Sequence, residues 1–316
     1  MPTRIRWTAV LALGLWGMPS PSPAQKDGNL RYRVDVNLVA LTFSVSDSNG
    51  RPIHGLTPAD LRISEDGIPQ QVAALVEGSR VMEGPVGVLP GMNIFILFDT
   101  SDHMYRSIPY VCDAVADFLR RLDPADAVAI YTFSRNLSRA APLTRDRSLT
   151  RAGLAQNVSV GDDTALFDCV LLTLRDAATT PGRKAIVVFS DGPDNKSRLS
   201  PEDVGTVAVD EGIPVYVIST LDPGKEHFTA EALERLTART GGKLYFVRKW
   251  QAPTQAFAAV HEELAASYTA YYYPADTSND GFRRIKLSVV APSGHALRIR
   301  TREGYRPRKA TRSESN

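Results

Sequence analysis

The sequence predicts an α/β protein whose centre is a doubly wound, mostly parallel β-sheet, with further β segments before and after it. Two observations predict the centre. Short continuous apolar runs alternate with amphipathic helical patterns between residues 92 and 265, and such runs are typical of strands that are covered on both faces. A third observation concerns residues 30–80 and 267–304, where short strand patterns are separated by turn residues. These two flanking segments are candidates for one small β-sandwich.

The first 24 residues have the pattern of a secretory signal peptide. Arg4 and Arg6 precede the apolar run WTAVLALGLWGM, which is too short to span a bilayer, and Ser22-Pro23-Ala24 follows as a small-residue cleavage site. We therefore expect export, either periplasmic or secreted, and no integral membrane segment once residues 1–24 are removed. Without both arginines the formal charge of +2 falls to near zero, which gives no electrostatic reason to expect a nucleic-acid partner.

Residues 25–80 are interpreted as an N-terminal β segment. The stretch from Tyr32 to Ser46 is rich in Val, Leu and Phe, as strands are. Asn49-Gly50 and Glu65-Asp66-Gly67 are typical of tight turns between strands. The Gly-, Pro- and Val-rich residues 81–91 predict a linker to the next domain.

Residues 92–266 form the predicted central domain. The apolar runs that predict its strands are Ile94–Phe98, Val128–Phe133, Ile186–Phe189, Val215–Ile218 and Leu244–Val247. Ser200-Pro201-Glu202-Asp203 predicts the start of a helix, because it supplies a capping hydroxyl, a proline at the first position and acids in the first turn. Gly212 and Gly241 stand where helices are expected to end.

Residues 267–306 return to a β pattern and are interpreted as a C-terminal β segment, while the basic residues 307–316 predict a disordered tail. Cys112 and Cys169 are the two cysteines of the chain, and each falls in a predicted helix. An exported chain could pair them, but two buried free thiols fit the pattern equally. The sequence leaves both alternatives open.

Polar residues follow the predicted strands at the edge where open parallel sheets bind their ligands. Asp99-Thr100-Ser101 follows the first strand, and Ser190-Asp191-Gly192 follows the strand at 186–189. Between them, Gly161-Asp162-Asp163-Thr164 opens a helix. Carboxylates and hydroxyls at one edge indicate an oxygen-rich site for a hard cation. Neither a G-x-G-x-x-G nor a P-loop pattern occurs, so nucleotide binding has no motif behind it.

The phrases LFDTS, DDTALFD, VVFSDGPDN and GGKLYFV together resemble a von Willebrand factor type A (vWA) domain. More narrowly, about residues 31–306 are similar to the secreted bacterial family of VWFA-related proteins, which have a β segment before the vWA domain and a tyrosine-rich β ending after it. The resemblance implies strand order 3-2-1-4-5-6 in a Rossmann-like sheet. It also implies a metal-ion-dependent adhesion site (MIDAS), at which a partner's acidic residue completes the coordination. The implied metal ligands are Asp99, Ser101, Thr164 and Asp191.

One ligand position departs from the family pattern, because His103 stands where a second serine is expected and Asp102 where glycine is common. Imidazole is poorly suited to Mg²⁺. Three outcomes stay open. The imidazole turns away and Mg²⁺ or Ca²⁺ binds weakly; it ligates the metal and favours Mn²⁺ or Zn²⁺; or no metal binds and the loop is held by hydrogen bonds alone. The expected cofactor is Mg²⁺, with Mn²⁺ and Ca²⁺ as alternatives.

Other polar residues near these loops have simpler interpretations. Asp168 lies one turn into the helix after Thr164 and is interpreted as surface charge, with a supporting role at the site as the alternative. Asp162 and Asp163 are interpreted as loop and cap residues. Asp194-Asn195 is interpreted as turn chemistry.

Three functions fit these patterns. The first is an exported interaction or adhesion module that binds a protein or cell-surface partner, through an acidic residue of that partner, at a degenerate MIDAS. The second is a metal-free structural scaffold in an envelope assembly. The third is a metal-dependent hydrolase or phosphotransferase, but the haloacid-dehalogenase pattern needs an aspartate where Ser101 stands, and no Gly-x-Ser-x-Gly elbow occurs. We therefore expect no enzymatic activity.

Overall fold

The computed structural model describes residues 38–83, 91–156, 161–247, 253–276, 278–290 and 296–307. The predicted signal peptide and residues 308–316 of the predicted tail lie outside these ranges. The first range contains five strands: β1 (Val39–Ser46), β2 (Leu61–Glu65), β3 (Ile68–Gln70), β4 (Val72–Glu77) and β5 (Arg80–Glu83). The turn between β2 and β3 has positive φ at Asp66 (47°) and Gly67 (87°), as a tight hairpin turn requires.

Strand β5 corrects the linker interpretation at residues 81–83, while residues 84–90 of the predicted linker lie outside the described ranges. Gly78, with a φ of 53°, turns the chain after β4, and β5 then pairs antiparallel with β4, with Val81 opposite Val76. A side chain would not fit at this turn, because a Cβ on Gly78 would lie 2.5 Å from the carbonyl oxygen of Ala265. The sequence pattern does not predict this strand, because four residues are too few to show the alternation of apolar and polar side chains that is typical of strands.

Six strands form the central sheet: β6 (Met92–Asp99), β7 (Ala127–Phe133), β8 (Leu137–Thr144), β9 (Arg183–Ser190), β10 (Val215–Ser219) and β11 (Leu244–Phe246). Their order is β11-β10-β9-β6-β7-β8, with only β8 antiparallel. This order confirms the expected doubly wound sheet, whose order reverses between β6 and β9. The sequence patterns do not predict β8, because only Ala140 and Ala141 of this edge strand are buried.

Helices cover both faces of the central sheet. Within the described ranges they are α1 (Ile108–Arg121), α2 (Arg147–Gln156), α3 (Leu166–Ala178), α4 (Pro201–Glu211), α5 (His227–Thr240) and α6 (Thr254–Ala265). The predicted end signals of α4 are confirmed. The Ser200 hydroxyl accepts a hydrogen bond from the Asp203 N–H at 3.1 Å, and Gly212 ends the helix with a φ of 66°. Gly241 ends α5 in the same left-handed conformation.

The sheet divides the interior of this region into two apolar layers. Alternate residues of β6 face opposite layers, so that Phe98 packs with α1 and α6 while Leu97 packs with α3 and α4. Cys112 contacts the first layer and Cys169 lies within the second. Both cysteines are free thiols, and because the sheet lies between them a disulfide is excluded. Burial raises the pKa of Cys112 to about 11 and that of Cys169 to about 12, so neither is a reactive thiolate.

The remaining strands are β12 (Tyr268–Tyr272), β13 (Arg283–Val289), β14 (Arg298–Thr301) and β15 (Gly304–Tyr305). They pair with the first five strands in two sheets, ordered β14-β1-β12-β4-β5 and β15-β13-β2-β3. Side chains from both sheets form one apolar core, in which Leu41, Tyr268 and Ile285 are buried. The two flanking segments therefore form one β-sandwich, as the sequence patterns predicted.

A buried arginine of the central sheet joins it to the sandwich. Arg183 is the first residue of β9 and is 3% exposed. Its guanidinium donates to the hydroxyls of Thr269 (2.8 Å) and Ser267 (3.2 Å) and to the carbonyl oxygen of Gly78. Because parallel strands begin at the same edge, the sandwich lies against the amino edge of the central sheet.

A second buried arginine, which belongs to the sandwich, also links the sandwich to the central domain. Arg302, between β14 and β15, donates to the carbonyl oxygens of Val209 (2.8 Å) in α4 and Ala40 (3.0 Å) in β1. The carboxyl end of a helix carries partial negative charge and carbonyls that lack partners within the helix. The guanidinium therefore stabilises the end of α4 and joins it to the sandwich.

A cavity of about 280 Å³ lies at this junction. Its lining includes Leu38 and Pro307, the first and last described residues, together with Gly182 and Gly212, which precede β9 and β10. Both ends of the described chain are therefore found at the amino edge of the central sheet.

Candidate functional site

The carboxyl end of β6 buries an aspartate. Asp99 is 1% exposed. Its Oδ1 accepts a hydrogen bond from the Ser101 N–H (2.8 Å), and its Oδ2 accepts one from the Ser190 hydroxyl (2.7 Å). Burial raises the pKa of Asp99, and these hydrogen bonds offset the effect only in part. A desolvated carboxylate therefore lies where the strand order of the sheet reverses.

The hydroxyl of Ser101 lies beside this carboxylate and lacks a well-formed hydrogen bond. The residue is 2% exposed, and its buried Oγ has no hydrogen-bond partner of normal geometry, although the hydroxyl lies close enough to Asp99 to lower the pKa of that carboxyl. Buried polar groups almost always have partners. A hard cation takes hydroxyl and carboxylate oxygens as ligands, so these two residues fit a bound divalent ion.

A second carboxylate follows the neighbouring strand β9. The side chain of Asp191 is 22% exposed. Burial, together with repulsion from Asp99, raises the pKa of Asp191 to about 6. The two carboxylates are therefore close enough to repel each other, and a cation shared between them would remove that repulsion.

The loop at residues 161–164 is tied to the loop after β6. The Gly161 N–H donates to the Thr100 carbonyl oxygen (3.2 Å), and the Asp102 N–H donates to the Gly161 carbonyl oxygen (3.0 Å). A side chain at Gly161 would lie 2.4 Å from the Ser134 hydroxyl, so only glycine permits this close approach. Thr164, at the end of the loop, is 6% exposed.

His103 lies at the rim of this edge. Its side chain is 86% exposed, and its Nδ1 lies 4.0 Å from Asp191 Oδ2. The imidazole is thus near a proposed ligand without being enclosed by other groups, and it is free to turn towards solvent. The structure therefore places Asp99, Ser101 and Asp191 at one edge of the sheet, with His103 beside Asp191. Thr164 belongs to a loop whose Gly161 is hydrogen-bonded to the segment after β6.

Acidic and nitrogen ligands are few at this edge. Within the described ranges, no three His, Cys, Asp or Glu side chains converge into a cluster that could hold a metal. A cation bound by Asp99 and Asp191 would therefore depend on the hydroxyls of Ser101 and Thr164 and on water for its other ligands. Such a shell is hard and oxygen-only, which suits Mg²⁺, Ca²⁺ or Mn²⁺ better than a soft metal.

Sequence reasoning missed contacts of three residues that fasten these loops, although the turn interpretation holds for Asp194, whose Oδ1 accepts hydrogen bonds from the Lys196 and Ser197 N–H groups. Asp168, interpreted as surface charge, accepts a hydrogen bond from the Leu199 N–H at 3.1 Å. Asn195, interpreted as turn chemistry, accepts one from the Thr164 N–H at 3.0 Å. Asp194 contacts the start of α3 through its carboxylate. The one signal in the sequence for Asp194 and Asn195 is the density of Asp, Asn and Ser after β9, which a simple turn also explains.

The raised pKa of Asp191 makes metal-free stability depend on pH. The folded protein keeps this proton to about pH 6, whereas an unfolded aspartate loses it near pH 4. Ionisation of Asp191 therefore costs folding free energy as pH rises through this window, and the full cost remains above it. In EDTA, Asp191→Asn should be more stable than the wild type, and its advantage should grow by about 1 kcal/mol between pH 5 and pH 7.5. Urea unfolding at both pH values measures this; an advantage independent of pH would contradict it.

The fold and this edge define a class of protein. An open α/β sheet that reverses its order between two strands that end at or just before aspartates has the doubly wound, Rossmann-like architecture. The model of the von Willebrand factor type A domain matches residues 93–259, more than half of the sequence, and the chain belongs to this family. Domains of this family commonly mediate protein–protein interactions and can hold a divalent cation at a MIDAS.

The chain is similar to solved structures from varied sources. BatB from Bacteroides thetaiotaomicron is 17% identical, with a TM-score of 0.45, over 55% of this chain and 98% of that one. The vWF domain of the type V pili tip protein Mfa5 from Porphyromonas gingivalis is 10% identical, with a TM-score of 0.48, over 56% and 95%. Proximal thread matrix protein 1 from the mussel byssus, in a structure with a zinc-occupied MIDAS motif, is 15% identical, with a TM-score of 0.46, over 57% and 46%.

A comparison with curated proteins gives no match. The described part of the chain also contains no helix with the length and apolar character of a membrane span.

Proposed function

We propose that this protein is an exported interaction module that binds a protein or cell-surface partner through a divalent cation at the carboxyl edge of its central sheet. Asp99, Ser101, Thr164 and Asp191 would hold the cation, with water as the remaining ligand. The bound cation supplies a positive centre that an acidic side chain of the partner can ligate. Mg²⁺ is the proposed ion, with Mn²⁺ and Ca²⁺ as alternatives. Export is inferred from the signal-peptide pattern of residues 1–24.

The observation that carries the proposal is the orphaned hydroxyl of Ser101 beside the desolvated carboxylate of Asp99. A site that served only to shape the loop would give this hydroxyl a hydrogen bond, because an unsatisfied buried group costs about 1–3 kcal/mol. The repulsion between Asp99 and Asp191 adds a second cost. One cation would remove both costs.

The rim of the same edge offers an apolar contact. Phe228, the second residue of α5, is 86% exposed. The start of α5 lies close to the Asp191 loop, since a Cβ on Gly192 would be 3.4 Å from Thr229 Cγ2. Aromatic side chains are enriched in protein interfaces. A partner that presents an apolar side chain next to its acidic residue would therefore contact both Phe228 and the cation.

The experiment that tests the proposal is thermal unfolding of the protein, without residues 1–24, in millimolar Mg²⁺, Ca²⁺ or Mn²⁺ and in EDTA. A ligand that binds only the folded state adds about 2.7 kcal/mol at a hundredfold excess over its Kd. The melting temperature should rise with at least one cation and return in EDTA. A melting temperature that none of the three cations changes would reject the proposal.

One observation favours the second candidate, a metal-free scaffold. The imidazole of His103, with its Nδ1 4.0 Å from Asp191 Oδ2, can contact that carboxylate in place of a metal. In that case the carboxyl edge of the sheet needs no ion, and the protein serves as a structural part of an assembly. The same melting experiment separates the two candidates.

Replacement of His103 distinguishes a site that this residue weakens from a site that it leaves unaffected. A serine would supply the short hydroxyl ligand of the family pattern and remove the imidazole beside Asp191. His103→Ser should therefore tighten Mg²⁺ binding about three- to tenfold, measured by calorimetric titration. The matched control is His227→Ser, which changes an exposed histidine of α5 and should leave the affinity as it is. Unchanged or weaker binding in His103→Ser would show that this histidine does not limit the site.

A further inference from the structure

The loop at residues 194–199, here called the clamp loop, forms hydrogen bonds with both the N–H and the carbonyl oxygen of Thr164. The Thr164 N–H donates to the side-chain Oδ1 of Asn195 at 3.0 Å. The Thr164 carbonyl oxygen accepts from the N–H groups of Asn195 and Lys196, both at 3.1 Å. One residue of the loop at 161–164 is thus fixed by three hydrogen bonds from a segment about thirty residues further along the chain.

The clamp loop also caps helix α3, which follows Thr164. The residue before this helix is Ala165, which has no capping side chain. The Phe167 N–H instead donates to Asp194 Oδ2 (3.0 Å), and the Asp168 N–H donates to the Ser197 hydroxyl (3.0 Å). Free N–H groups at the start of a helix need such acceptors, and here another loop supplies them.

The contact is reciprocal, because α3 also caps the clamp loop. The carboxylate of Asp168 accepts hydrogen bonds from the N–H groups of Arg198 (3.2 Å) and Leu199 (3.1 Å). Asp194 closes the loop on itself by accepting from the Ser197 N–H at 2.8 Å. The segment that begins just after Asp191 is therefore fastened to the segment that carries Thr164.

We propose that Asn195 is a positioning residue for the cation site, which holds Thr164 at a fixed place relative to Asp191 before any ion binds. This rests on the proposed function, because it assigns Thr164 and Asp191 to one ion. Ligands that are held in place by neighbouring hydrogen bonds bind metals more tightly, and loss of such a neighbour typically weakens binding about 10- to 100-fold. Asn195 does not contact the ion; it acts through the backbone of Thr164.

The first measurement tests the clamp without metal. Amide hydrogen exchange of Thr164 in EDTA, followed by NMR, should be about tenfold faster in Asn195→Ala, because the Thr164 N–H loses its acceptor. Arg198→Ala is the matched control: it changes an exposed side chain of the same loop and keeps every bond to Thr164. Exchange at the wild-type rate in Asn195→Ala would overturn the inference.

The second measurement is Mn²⁺ binding, followed by electron paramagnetic resonance well below the melting temperature. Asn195→Ala should weaken binding about tenfold, whereas its melting temperature in EDTA should fall by only a few degrees, because the variant loses one side-chain hydrogen bond. Asn195→Asp keeps an acceptor for the Thr164 N–H and should bind Mn²⁺ at least as tightly as the wild type.

The outcomes separate this inference from the proposed function. Wild-type affinity in Asn195→Ala, or an equal loss in Asn195→Ala and Arg198→Ala, would overturn the positioning role while the cation site stands. If the wild type binds no cation, the proposed function fails and the positioning role fails with it, even where the exchange of Thr164 responds. Rescue by Asn195→Asp, with weak binding in Asn195→Ala alone, supports the inference.

Discussion

Asp99→Asn should abolish the rise in melting temperature that divalent cations cause. The amide keeps the size of the side chain and an oxygen for the Ser101 N–H, but it removes the negative charge at the centre of the proposed site. At a hundredfold excess of cation over Kd the wild type gains about 2.7 kcal/mol, which corresponds to roughly 5–10 °C for a domain of this size. The variant should melt at one temperature in Mg²⁺ and in EDTA, as differential scanning calorimetry would show.

A matched control accompanies this variant. Asp222→Asn removes the charge of a carboxylate that is 60% exposed and lies after β10, the strand next to β9. It should leave the cation-dependent rise intact, because an exposed charge is screened by solvent and salt and contributes little to ion binding. A rise that persists in Asp99→Asn, or that disappears equally in Asp222→Asn, would mean that the cation binds elsewhere.

The largest loss of stability should come from Arg302→Ala. Arg302 is 6% exposed, and its removal takes a charged donor away from the carbonyl oxygens of Val209 and Ala40, of which Val209 keeps only the Gly212 N–H at 3.1 Å. It also leaves a void between α4 and the sandwich. Loss of a buried charged donor to two acceptors should lower the free energy of unfolding by about 3 kcal/mol. Urea unfolding followed by circular dichroism would measure the change.

Arg306→Ala is the control for this effect, because it lies four residues further along the same segment. Arg306 pairs with Asp210 at 3.1 Å, but its side chain is 52% exposed. Exposed ion pairs contribute at most about 1 kcal/mol. Equal losses in the two variants would contradict the view that Arg302 joins the sandwich to the central sheet.

The central sheet could be predicted because its strands are covered on both faces. Buried parallel strands such as β9 and β10 need apolar residues at successive positions, and this leaves a clear pattern in the sequence. The edge strand β8 does not need a run of apolar residues, since most of its residues are at least partly exposed. Sequence patterns report burial, and an edge strand that is held mainly by backbone hydrogen bonds leaves little trace.

The proposed site was predictable in part for a related reason. Asp99 and Asp191 each lie at the end of a strand that the resemblance to vWA domains places at the point of reversal, so their neighbouring positions follow from topology. The roles of Asp168 and Asn195 depend instead on contacts between segments about thirty residues apart. Asx turns and contacts between loops use the same residue types, and only coordinates distinguish them.

The cavity at the junction with the sandwich, which both Leu38 and Pro307 line, determines how the molecule would be presented on a support. Leu38 and Pro307 both lie on the side of the central sheet opposite Asp99 and Asp191. A protein immobilised through an exposed residue of this amino edge would turn its proposed cation towards the surrounding solution, where a soluble partner can approach freely. Surface-capture assays can therefore use an attachment point introduced at Leu38, which is 46% exposed, without blocking that approach.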